Sequence, residues 1–354
     1  MPAELTDTQG AALTGAAPSA AGARRRMRML GLAIGVALLL VTVVLSVLIG
    51  AKPLPIPDMI SALANPDGSE ASEILFTLRI PRTVVGIFAG MALAVSGALM
   101  QALTRNPLAD PGLLGVNAGA ALAVALGIAL VGITTPSEYS VFSFVGAVVA
   151  TLVVLAIGRT GRYGASPARL VLAGVALAAV FSGISMALTM LFPLVFAGYR
   201  AWTVGSLVGH DLLGAMPVLP VIVVGLIVAV CISRGLGALS LGDDHARALG
   251  TRVRLVRGAA LVSVTLLAGC ATALIGPVAF IGLMIPHVVR RFTGPSQPWI
   301  LASSLIYGPA VLLAADILGR VVAQPGEYPV AFMMAIIGAP VLIAMMARRR
   351  VISL

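Results

Sequence analysis

Asp316 and Arg320 stand four residues apart inside a long apolar stretch, the spacing that places a carboxylate and a guanidinium on one face of a helix. Charge at that depth is costly and is kept for function, so a proton relay or an arginine held out towards an acidic partner are the chemistries to weigh. A relay needs further titratable groups nearby, and the sequence offers none. The same pair also reads as a structural one near a helix end, snorkelling to the interface. His210, His245 and His287 fall in different connections or span ends with no HExxH pairing, which disfavours a metal-dependent hydrolase. No GxSxG elbow occurs, so nothing supports a serine nucleophile. Cys231 and Cys270 lie in apolar stretches without a CxxC, and buried packing is their expected role. The only lysine, Lys52, is followed by Pro53 rather than set in GxxxxGK[ST], so the chain has no P-loop of its own. Together these absences weigh against an intramembrane enzyme.

The elements that must position these residues are membrane spans. Of 354 residues 59% are hydrophobic and 10% charged, far from the roughly 25% charged of soluble domains. A bilayer core of about 30 Å needs about 20 apolar residues per helix. Ten stretches qualify, near 29–49, 83–104, 112–133, 141–158, 169–191, 215–233, 254–275, 277–292, 299–322 and 329–347. The alternation of a barrel strand is absent, so the expected class is an all-α polytopic membrane protein of about ten helices. The net charge of +10 marks topology rather than nucleic acid, because every second connection is basic: Arg24 to Arg28, Arg105, Arg159 to Arg169, Arg234 to Arg257, Arg290–Arg291 and Arg348 to Arg350. The positive-inside rule then makes both termini of this multi-pass protein cytoplasmic. Residues 1–23 read as a disordered cytoplasmic tail and 24–354 as one transmembrane domain. A cleaved signal peptide is the competing reading of RRRMR and the run after it, which is longer than an h-region.

Four segments carry more than apolarity. Arg79 and Arg82 open the second span, on the outer side by the charge count, and the rigid turn NPLADPG at 106–112 closes it on the other. The sixth connection holds DDHARA between Leu241–Gly242 and Leu249–Gly250, a short helical segment with an acidic first turn that complements the helix dipole. It could seat in a soluble motor domain, or lie as an ordinary amphipathic helix on the membrane surface. GPVAFIGLMIPH at 276–287 and the break after Pro193 read as interruptions, tolerated at membrane depth where backbone lines a cavity or is buried in protein; close helix packing at the glycines is the plainer reading. Met186, Met190, Met333 and Met334 could line an adaptable path, with core packing the simpler use.

RIPRT at 79–83, SGALMQALTRNPLADPGLLGVNAGAAL at 96–122, LVLAGVAL at 170–177, WTVGSLVG at 202–209, LGDDHARALG at 241–250, GPVAFIGLMIPHVVRRFTGP at 276–295, ADILGR at 315–320 and YPVAFMMAIIGAP at 328–340 occur in that order. Together they resemble the FecCD-type permease family, the membrane subunits of bacterial ABC importers for iron–siderophore complexes, haem and vitamin B12. The resemblance covers about Arg79 to Arg350. It implies a type II ABC importer permease fold with pseudo-symmetric helix groups at spans two to five and seven to ten. It implies four kinds of partner: a second permease, identical or paralogous, two cytoplasmic ABC ATPases, an extracytoplasmic binding protein and the transported iron chelate. Carried over by motif, Arg79, Arg82 and Arg320 match positions that receive acidic residues of the binding protein. Asn106, Leu108, Pro167 and Ala168 match the cytoplasmic gate, and Leu241, Gly242, Asp243, Ala246, Leu249 and Gly250 match the coupling helices that fit the ATPase groove. Pro167 and Ala168 stand where hydroxyl residues often sit, with Ser166 beside them, and Ala331 and Met334 replace the more usual glycine and threonine.

The resemblance thus implies uptake of an iron(III)–siderophore complex by alternating access, with ATP and Mg bound by the partner ATPase and no cofactor, metal or catalytic residue on this chain. Haem or cobalamin import is the alternative within the family. From another class, an ion-driven secondary carrier is disfavoured by the scarcity of carboxylates in mid-span.

Overall fold

A computed structural model of the chain describes residues 17–66, 68–159, 167–209 and 212–349, and among these there are helices and no strand. The helices are α1 Ala17–Leu48, α2 Ile56–Ala64, α3 Glu70–Thr104, α4 Val116–Val131, α5 Pro136–Arg159, α6 Pro167–Leu191 and α7 Pro193–Thr203. They continue with α8 Leu219–Leu239, α9 Asp243–Ala248, α10 Val253–Ile275, α11 Ile281–Thr293, α12 Gln297–Val322 and α13 Val330–Arg349. Each of the ten apolar stretches falls on a helix. Among the described residues seven of them, α1, α3, α5, α6, α8, α10 and α12, are long and apolar enough to cross a membrane. Of the other three, α4 and α11 are shorter than the apolar runs suggested. α4 has only about 24 Å of helix at 1.5 Å per residue, because Gly115 and Gly132 take positive φ at its two ends. α11 starts only after Gly276–Phe280, whereas α13, Val330–Arg349, is as long as its apolar run.

Residues 17–23, expected to lack structure, form the first turns of α1; their Ala-rich composition has high helix propensity, and the apolar run behind them supplies a nucleus to extend. The rest of that expected tail, residues 1–16, lies outside the described residues.

α3 is the central helix, packed against α12, α10, α11 and α8, while α4 pairs with α5 and α6. In α3 and α10 78% of the apolar window is buried and in α12 67%, against 17% in α1 and α6, so α3, α10 and α12 make the core and α1 and α6 lie at its periphery. Small residues allow the tightest crossings. A Cβ added at Gly97 of α3 would lie 1.9 Å from the Gly282 carbonyl oxygen of α11. α6 reaches the turn after α3 in the same way, with Gly174 against the Leu113 carbonyl.

Prolines explain the irregular backbone. Pro81 has no N–H, and its ring crowds the carbonyl four residues back; the chain widens there into a π-helical segment, Ile74–Arg79, in which Ile80 N–H bonds the Leu75 carbonyl. Pro286 inside α11 leaves the Gly282 carbonyl without its helical donor. The Gln101 side chain of α3 replaces it, donating to the carbonyls of Gly282 at 3.4 Å and Leu283 at 3.1 Å. Both interruptions expected from sequence are present: the break before Pro193 separates α6 from α7, and Gly276–Phe280 separates α10 from α11. Phe280 holds a φ of 72° there, rare for an aromatic residue.

Candidate functional site

α1 ends at Leu48, and the last carbonyls of any helix lack partners of their own. Arg79 donates through Nη1 to the Val47 and Leu48 carbonyls at 2.9 and 2.6 Å and through Nη2 to the Lys52 carbonyl at 2.7 Å. From α12, Arg320 donates through Nη1 to the carbonyls of Ser46 and Ile49, both at 2.7 Å, and through Nη2 to Ser46 Oγ at 3.1 Å. Two cations thus complete the C-terminus of α1, where the helix dipole is negative. Ser46 Oγ also pairs with Thr83 Oγ1 at 2.8 Å.

Asp316 joins Arg320 to Arg82. Its carboxylate accepts from Arg82 Nε at 3.0 Å and Nη2 at 2.6 Å, and from Arg320 Nε at 3.1 Å and Nη2. The remaining nitrogen of Arg82, Nη1, donates to Glu327 at 2.5 Å. Arg79 is 4% exposed, Arg82 9%, Arg320 1% and Asp316 0%. The i, i+4 spacing does form its pair, but Asp316 turns Arg320 inward instead of holding it out. Arginines expected to stand open to a partner are therefore buried, Arg79 and Arg320 by the orphan carbonyls of α1 and Arg82 by the carboxylates of Asp316 and Glu327. Beside them opens a cavity of about 440 Å³ whose walls include Lys52, Arg79, Arg82, Arg320 and Glu327.

At the other end of α3, Arg105 takes a left-handed conformation, φ 52° and ψ 31°, and terminates the helix. Its Nε bonds the Leu239 carbonyl at 3.0 Å and its Nη2 bonds Asp243 at 2.6 Å. Asp243 also receives Arg257 Nη2 of α10 at 3.1 Å. One carboxylate at the start of α9 thereby ties the ends of α3, α8 and α10. Ala246 is the buried residue of α9, while Leu241 and Leu249 on either side are 63% and 67% exposed. Gly242 at φ 113° and Gly250 at φ 76° make the turns in and out. Partial burial pushes the Asp243 carboxyl up, but the hydrogen bonds and charges of Arg105 and Arg257 prevail and hold it below the usual carboxylate range.

A depressed folded-state pKa stabilises the tie above the unfolded carboxylate pKa of about 3.9 and loses it only as pH falls through the lower folded value. Amide exchange over residues 240–251 is accordingly expected to show the same protection at pH 5 and pH 8. Asp243→Asn should raise exchange in that segment at both pH values; unchanged protection in the variant would show that the ion pairs do not order the loop.

The remaining expected residues lie near this end without joining one cluster. Asn106 and Leu108 are exposed in an Asx turn, with Leu108 N–H donating to Asn106 Oδ1 at 3.0 Å. Ala168 is exposed at the start of α6. Pro167 opens that helix, and its side chain, like Ser166 and His210, lies outside what is described. Sequence reasoning missed Gln101, Ser46 and Glu327, and it placed Arg105 only as a topology marker. Pro286 is the one signal that could have pointed to Gln101, since a proline inside a helix predicts an orphan carbonyl.

Comparison with known proteins bears on the whole chain. A model of the FecCD transport family matches residues 38–348. The ferric enterobactin transport system permease protein FepD of Escherichia coli is 48% identical over 313 residues, 88% of this chain and 93% of the relative. The Fe(3+)-citrate import system permease protein YfmD of Bacillus subtilis is 37% identical over 84% of this chain and 88% of its own length. The hemin transport system permease protein HmuU of Yersinia pestis is 35% identical over 78% and 84%. In fold, the chain matches a metal-chelate type ABC transporter in an inward-facing conformation with a TM-score of 0.78 at 24% identity, over 90% of this chain and 98% of the other.

Proposed function

The chain belongs to the FecCD transport family, and on that premise we propose that it is the transmembrane permease subunit of a binding-protein-dependent ABC importer for iron(III)–siderophore complexes. It pairs with a second permease, and the chelate crosses by alternating access without chemical change. Two ABC ATPases beneath supply the energy and hold the ATP and Mg. The siderophore assignment, over haem or cobalamin, rests on the higher identity to the ferric enterobactin permease, 48%, than to the hemin permease, 35%.

The observation that carries this reading is the Asp243 tie. A short helix flanked by two exposed leucines would be only a surface feature if it were loose, but Arg105 and Arg257 fix it to the ends of α3 and α10. A push on α9 by an ATPase then reaches the central helix directly. That end is assigned to the cytoplasm, in keeping with the positive-inside rule, with Asn106, Leu108, Pro167 and Ala168 at the gate. The Arg82 end is assigned to the outer face, where the binding protein docks.

Reconstitution into proteoliposomes with the ATPase and the binding protein tests the reading. Uptake of the ferric chelate is expected to require ATP, to resist a protonophore and to return the chelate intact. Replacing Ala246–Leu249 with Gly and Ser should abolish uptake while ATP hydrolysis continues. Uptake that collapses with the protonophore while ATP remains would instead identify an ion-driven carrier.

A further inference from the structure

The three arginines at the Arg82 end differ in what holds them. Arg79 is held by backbone carbonyls at the end of α1, and Arg320 by those carbonyls together with Asp316, all internal partners. Arg82 commits Nε and Nη2 to Asp316, whose side chain is fully buried. Its Nη1 alone is held by a partner at the surface: the Glu327 side chain is 24% exposed and lines the open cavity. Glu327 follows the exposed residues Gln324, Pro325 and Gly326, and the next residue, Tyr328, pins the loop by bonding the Gly319 carbonyl at 3.1 Å. Rotation of the Glu327 side chain frees a guanidinium nitrogen into the cavity and disturbs no helix. Three guanidiniums against the two carboxylates of Asp316 and Glu327 leave one net positive charge; withdrawing Glu327 leaves two.

We propose that Glu327 is a built-in competitor for the acidic group of the binding protein: it occupies Arg82 Nη1 in the undocked permease and is displaced by a partner carboxylate on docking. The proposal rests on the importer reading, since it presumes a protein partner at this face. Glu327 is then a positioning residue that weakens capture, so that the partner does not remain bound after delivery. Exchange of one carboxylate for another on the same nitrogen keeps the buried arginine paired throughout, which avoids the large cost of an unpaired buried charge.

The test uses the intact permease–ATPase complex in nanodiscs and the purified binding protein of the same transporter carrying a fluorophore. Glu327→Gln is expected to tighten capture by about tenfold, chiefly through slower dissociation, and Arg82→Gln to weaken it, as close charge pairs at interfaces do. In the Arg82→Gln background, Glu327→Gln should have no further effect. Tightening of equal size in both backgrounds would overturn the proposal, because Glu327 would then act only as a general negative charge. Capture unaltered or weakened by Glu327→Gln, with Arg82→Gln still weakening it, would also overturn it and leave docking at Arg82 standing. If neither variant changes capture, the docking assignment itself fails. Thermal midpoints are read for Glu327→Gln, Arg82→Gln and the double variant, and capture is compared below the lowest of them, so that only folded complexes are compared.

Discussion

Replacing Asp316 with Asn should lower the stability of the chain by about 3–5 kcal/mol, the usual cost of breaking a buried ion pair from one side. The carboxylate is fully buried and accepts from Nε and Nη2 of both Arg82 and Arg320. Asn has nearly the same volume, so packing is preserved and the loss is one of charge. It would leave two buried guanidiniums facing each other across a neutral amide. A large fall in the thermal midpoint of the detergent-solubilised chain is the expected result, with the exposed Asp58→Asn as a control that should not move. Adding Arg82→Met to the Asp316 variant should restore part of the loss by removing one unpaired cation. An unchanged midpoint in Asp316→Asn would mean that the α1 carbonyls and Glu327 suffice to hold the arginines.

The second large effect is expected at the crossing of α3 and α11. Gly97→Ala places a methyl group 1.9 Å from the Gly282 carbonyl oxygen and 2.3 Å from its carbonyl carbon. Those are backbone atoms, so no side chain can swing aside and the helices must separate. Overpacking of a tight core costs typically 1–3 kcal/mol, and separation would also break the two Gln101 bonds to α11. Gly258→Ala supplies the comparison, since it lies within α10 and a Cβ there meets nothing within 4 Å. It should gain about 0.5–1 kcal/mol from reduced backbone entropy in the unfolded chain. Thermal midpoints moving in opposite directions for the two alanines would separate steric exclusion from helix propensity; a neutral Gly97→Ala would show that the crossing is not close-packed.

Spans were legible because apolar length is a one-dimensional quantity, and the breaks at Pro193 and Gly276 were legible because proline and glycine act locally. The Asp316–Arg320 pair was legible for the same reason, being four residues apart. Its environment was not. Arg82 pairs with Asp316 from 234 residues away, and Arg105 with Asp243 from 138 away. Nor does sequence show that the carbonyls ending α1 want donors, so Arg79 at a span entrance was expected to be open to a partner when it completes another helix. Glu327 was hidden in a connection with no helical spacing to mark it. The segment around Asp243 was recognisable by its motif, whereas the arginines that fix it belong to elements where they had been read as topology markers alone.

The Gly97–Gly282 contact and the Gln101 bonds have a mechanical consequence. They pin α3 to the first turn of α11, where Gly97 and Gln101 both meet Gly282, so this crossing is a fulcrum and α3 the lever across it. Between Arg82 and Arg105 that lever is about 35 Å long at 1.5 Å per residue. Pivoting it by about 5° about the crossing shifts its two ends in opposite directions, by about 3 Å in sum, as expected of a rigid rod of helical rise 1.5 Å per residue. A small rocking at the arginine network would therefore arrive at Asp243 reversed and reduced, because Gly97 lies nearer Arg105 than Arg82, with no bending of the rod between.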